Sequence, residues 1–100
     1  MPAMSPEVAL RTKTFALRIL KMVEALPKTT TGRTLGNQIA RSATSVAANF
    51  RSSFRGRSKA EFISKLQVAM EESDETQFWL ELIEESGCLP QKKLASLHNE

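Results

Sequence analysis

The sequence predicts an all-α fold: three amphipathic helices and a fourth that is short or truncated. Two observations carry this expectation. Apolar residues recur at the i, i+3, i+4 spacing through three long segments, as in Leu35, Ile39, Ala43, Val46, Phe50 and Phe54. The 4 Pro and 4 Gly sit where helices would begin or end, and Tyr is absent. Abundant Leu, Ala, Glu, Lys and Arg also favour helix over sheet. Residues 1–100 read as a single domain, near the size at which self-association often helps.

The first helix is expected over residues 6–26. Ser5 reads as its N-cap, Pro6 as its first position, and Glu7 as an acid complementing the helix dipole. Phe15, Ile19, Met22 and Leu26 form its apolar stripe, while Leu17 and Leu20 lie off it and hint at a second buried face. Pro27 stops the helix because the residue before proline avoids the α region.

A polar loop follows, and Thr31 or Thr34 can cap the second helix, which runs to about Arg55. Gly56 lies past its end, a natural left-handed position. Ser58-Lys59-Ala60-Glu61 has the spacing of a capping box. So short a connection makes the second and third helices antiparallel neighbours.

The third helix, over residues 59–86, would be about 42 Å long at 1.5 Å per residue. Phe62, Leu66, Ala69, Ser73, Thr76, Leu80 and Ile83 follow the alternating steps of a bundle seam, widened by Ile63, Met70, Phe78, Trp79 and Leu82. Gly87 ends it. Leu94 and Leu97 begin a fourth pattern in residues 91–100, too short to cover much of a core. Either most of a fourth helix is lacking or the chain is truncated. Leu66, Ala69, Leu80 and Ile83 would then keep an uncovered flank, the kind of surface that marks an interface.

The second helix organises the rest. Beside its apolar stripe, Gln38, Ser42, Ser45 and Asn49 make a small polar stripe. Folding the hairpin about Arg57 brings Gln38 level with Thr76 and Ser42 level with Ser73, so these hydroxyls and amides form a close-packed polar seam. Arg41, Arg51 and Arg55 fall within about 80° of one another, roughly opposite the apolar stripe. Arg41 is level with Glu72, yet on the wheel it points outward, so an Arg41–Glu72 pair would require the second helix to rotate.

Net charge is +3 and its distribution is uneven. No acid lies between Glu24 and Glu61, while Lys28, Arg33, Arg41, Arg51, Arg55, Arg57 and Lys59 are basic. The third helix is acidic. Such asymmetry fits a nucleic-acid face, or one helix complementary to another within the chain or across an oligomer.

Catalytic chemistry finds little to build on. His98 is the only histidine, and Cys88, the only cysteine, is expected as a buried or half-buried small apolar residue. The cluster Glu71-Glu72-Ser73-Asp74-Glu75 lacks the Glu-x-x-His partners of bundle metal sites, so a solvated or arginine-paired face is expected. A lone cysteine, no apolar run of about 20 residues and no signal-like N-terminus suggest a cytoplasmic chain away from membranes. No cofactor, metal or small-molecule substrate is expected.

Three motifs taken in order resemble a known family. They are Gln38-x-x-Arg41-Ser42-Ala43-Thr44-Ser45-Val46-x-Ala48-Asn49, then Arg57-Ser58-Lys59-x-x-Phe62-Ile63-x-Lys65-Leu66, then Glu71-Glu72-x-Asp74-Glu75-x-x-x-Trp79-Leu80-Glu81-Leu82. Together they resemble the bacterial four-helix-bundle proteins of the 23S rRNA-intervening-sequence type. Many members carry Glu-Gly shortly after the Asn, where this chain has Ser52-Ser53. The resemblance implies an up-down-up-down four-helix bundle that assembles into a homopentamer, with no catalytic residues to carry over. More distantly, the chain is similar to the accessory protein of diversity-generating retroelements, a basic bundle that works with nucleic acid.

The expected protein is therefore a non-enzymatic, oligomeric bundle. One functional reading is RNA or DNA binding through Arg41, Arg51, Arg55, Arg57 and Lys59. The other is a scaffold whose basic face meets the acidic third helix of a neighbouring subunit.

Overall fold

A computed structural model describes residues 6–89 as three helices, α1 (Pro6–Glu24), α2 (Thr30–Ser53) and α3 (Lys59–Glu85). No strand occurs among the described residues. The expected Ser5 cap and the expected fourth helix over residues 91–100 lie outside them.

α2 is the shared element. Its packing against α3 is the more extensive, and α1 covers another part of it. Ile19, Leu26, Leu35, Ile39, Ala43, Leu80 and Ile83 form the core, with Phe15, Trp79 and Leu82 packed against it. The molecule measures 44 × 22 × 18 Å. Its long axis approaches the roughly 40 Å length of a helix the size of α3.

The α1–α2 connection is tighter than the sequence suggests. The backbone N–H groups of Ala25 and Leu26 close a final turn on the Met22 and Val23 carbonyls, at 2.9 and 3.1 Å. Thr29, and neither Thr31 nor Thr34, caps α2: its backbone is extended and its hydroxyl accepts from the Gly32 N–H at 3.1 Å. Gly32 lies inside α2, and a Cβ there would come within 1.9 Å of the Pro27 carbonyl oxygen. The glycine permits the close approach that brings the cap into register.

At the other end, Ser58 caps α3 by accepting from the Glu61 N–H at 3.1 Å. Gly56 does not take the left-handed conformation; among the described residues only Gly87 does, at φ 77°. Gly56 matters through space instead, because a Cβ would stand 3.1 Å from the Phe62 nitrogen and 3.2 Å from the Ser53 carbonyl oxygen.

Two packing expectations change. Ala69, Leu80 and Ile83 are fully buried, so they are not the uncovered flank. Ile63, Met70 and Phe78 do not widen the seam; they are exposed, as are Leu17 and Leu20 of α1. The reason is that α3 carries apolar residues around most of its circumference, so periodicity alone does not choose its buried side.

Candidate nucleic-acid interface

The short turn between α2 and α3 sets the geometry of the basic residues. Arg55 and Gly56 N–H groups donate to the Ser52 and Ser53 carbonyls at 3.0 and 3.2 Å. The buried Ser53 hydroxyl donates to the Phe50 carbonyl at 2.6 Å. Tied down this way, the turn presents Arg51, Arg55, Arg57 and Lys59 together at one end of the hairpin, all exposed. No acid occurs from Phe50 to Ala60 to neutralise them.

Arg41 is placed differently. Its Nη1 is 3.1 Å from Glu72 Oε2, and its Nη2 pairs with Glu75 Oε1. The pair forms without the rotation of α2 that the wheel appeared to demand. Small side chains at Ser42 and Ser45 let the helices close, and the long guanidinium stem spans the remaining distance. Glu75 also accepts from Trp79 Nε1 at 3.1 Å, a link that the i, i+4 spacing on α3 could have signalled. Two acids of the cluster are thus arginine-paired, while Glu71 and Asp74 are exposed. No group of three or more His, Cys, Asp or Glu among the described residues could hold a metal ion.

Beneath this ion pair lies the polar seam. Ser42 and Thr76 are buried, with their hydroxyl oxygens 2.8 Å apart. Thr76 also reaches the Glu72 carbonyl at 2.8 Å, and Ser42 the Ile39 carbonyl at 3.3 Å. Thr76 donates its proton to Ser42 across the helices, and Ser42 donates its own to the Ile39 carbonyl. Every polar atom in this dry contact then has a partner. The register places Ser42 about one turn beyond Ser73, which is exposed. Asn49 donates to the Ser45 carbonyl at 2.8 Å and to the Ser45 hydroxyl at 3.1 Å, so these two satisfy each other along α2. Gln38 is half-buried. Cys88 is half-buried and accepts from the Ser86 hydroxyl at 3.2 Å.

A groove of about 620 Å³ runs between the helices, lined by Val8 and Phe15 of α1, Val46 and Phe50 of α2, and Thr76 of α3, with Arg11 beside them. No helix among the described residues is long and apolar enough to cross a membrane.

Comparison with known proteins follows the same architecture. The family described as 23S rRNA-intervening sequence protein matches residues 5–100. A crystal structure of a protein of unknown function from the S23 ribosomal protein family of Bacteroides thetaiotaomicron superimposes with a TM-score of 0.85. That chain is 34% identical, and the alignment covers 92% of this chain and 85% of the other. The curated proteins give no match.

Proposed function

The chain belongs to the 23S rRNA-intervening sequence protein family, and from that premise we propose that it is a non-enzymatic helical protein that binds nucleic acid, RNA or DNA, through phosphate contacts around the α2–α3 turn. The observation that carries this reading is the exposed, acid-free group Arg51, Arg55, Arg57 and Lys59 on one hairpin end. Arg41 does not belong to it, since Glu72 and Glu75 already engage its guanidinium.

Four cations on one short turn suit backbone recognition without base readout. Log affinity should then fall linearly with log salt, with a slope on the order of 3 to 4. Each of Arg51→Gln, Arg55→Gln and Arg57→Gln should reduce that slope by about one, and Arg41→Gln should not. Anisotropy titrations of an RNA hairpin and a DNA duplex across a salt series make the measurement. Slopes unchanged in all three turn variants would end this reading.

A further inference from the structure

We propose that the basic hairpin end recognises unpaired bases in a single strand, with the ring of Phe54 as the platform on which one base stacks. The inference rests on the nucleic-acid reading above and adds the class of strand to it. Phe54 caps the C-terminus of α2, one turn after Arg51 and next to Arg55, and Phe62 lies in the first turn of α3. Both belong to the same end of the hairpin, where the Gly56 backbone approaches Phe62 so closely that a Cβ would stand 3.1 Å from its nitrogen.

Neither ring joins the core. Of the 5 phenylalanines, Phe15 packs against the buried cluster, Phe50 lines the groove, and Phe78 meets Trp79 edge-on with ring centroids 5.1 Å apart. Phe54 and Phe62 are half-buried and meet no other ring among the described residues. A half-buried ring is steadied by the protein and still offers surface to a ligand. Charge then decides among the aromatics. Phe78 stands one turn from Asp74, Glu75 and Glu81, whose carboxylates repel a phosphodiester, and Phe62 adjoins Glu61. Within a turn of Phe54 the only charges are those of Arg51, Arg55 and Arg57. Cations alone do not tell a strand from a duplex, because both present phosphates. In a duplex the base faces are already stacked, so only an unpaired base can use the ring.

Anisotropy titrations of the intact chain with three labelled probes of equal length make the test: oligothymidylate, the same backbone with abasic sugars throughout, and a DNA duplex. Oligothymidylate should bind about fivefold to tenfold more tightly than the abasic strand, which carries the same phosphates without bases. Phe54→Leu should erase that difference while helical circular dichroism, affinity for the abasic strand and for the duplex, and salt slope stay as in the parent. Phe54→Trp should keep the difference or widen it. Equal affinity for oligothymidylate and the abasic strand, with the salt slope intact, overturns this inference and leaves the nucleic-acid reading standing. So does a folded Phe54→Leu protein that keeps the difference, or one whose duplex affinity falls as far as its affinity for oligothymidylate. Failure of all three probes to bind overturns both.

Discussion

Arg41 of α2 and Glu72 of α3 meet at 3.1 Å across the helix seam, directly over the buried Ser42–Thr76 contact. Glu75 joins the same guanidinium and in turn accepts from Trp79. Outer ionic and inner hydroxyl contacts therefore pin one register of the hairpin. Sliding α3 by one residue would break both sets at once.

Arg41→Gln should destabilise the fold only slightly. The Arg41 side chain is 50% exposed, so solvent screens the pair, and about 0.2–1 kcal/mol is the expected loss. Thermal melts should show a drop of no more than about 8 °C, smaller still at high salt. A drop that is large and insensitive to salt would mean that Arg41 supports the fold by packing rather than by charge.

The hydroxyl pair should be coupled. In a double-mutant cycle of Ser42→Ala and Thr76→Val, an interaction of about 0.5–1.5 kcal/mol is expected. Ser42→Leu should cost about 1–3 kcal/mol by overpacking a site with no exposed surface. Additive single effects, or a Ser42→Leu protein that melts like the parent, would show that the seam is looser than described.

Much of this contact is legible in the sequence, and the reason is geometric. A short connection between two helices fixes which residues lie level, so Arg41 could be placed opposite Glu72 from chain position alone. Side-chain reach was harder to read: the wheel gives the direction of Cβ, not where a guanidinium several bonds away will settle. The inner side of α3 was legible at Thr76, Leu80 and Ile83, which are buried. It was misread at Ile63, Met70 and Phe78, since an apolar residue carries no mark of whether its own chain covers it. The cap at Thr29 was missed because three successive threonines offer the same chemistry, and the Pro27 carbonyl packed over Gly32 chooses among them.

Gly32→Ala should be destabilising although alanine favours helix. Propensity alone would add up to about 1 kcal/mol of stability. The new methyl would instead meet the Pro27 carbonyl oxygen at 1.9 Å, forcing the loop away. A net loss on the order of 1–3 kcal/mol is expected, measured by urea unfolding. Stability equal to the parent's would show that the loop yields freely.

Trp79, the only tryptophan, should report on the ionic cluster. Its indole N–H donates to Glu75 at 3.1 Å. Removing that acceptor in Glu75→Ala should shift the emission maximum and cost about 1 kcal/mol. Arg41→Gln leaves Glu75 in place to accept from the indole, so its emission should stay closer to the parent's. A Glu75→Ala spectrum identical to the parent's would place the indole outside the cluster.

Because α1 and α3 both rest on α2, the two halves of the fold need not form together. α2 and α3 are consecutive, joined by a tight turn, and share the larger contact. The two connections are equally long, residues 25–29 and 54–58, so loop closure favours neither and the larger contact decides the order. The hairpin should therefore assemble early, and α1 should dock afterwards onto a surface already in place. Local opening would run in reverse, with α1 amides exchanging with solvent ahead of those around Ile39 and Leu80.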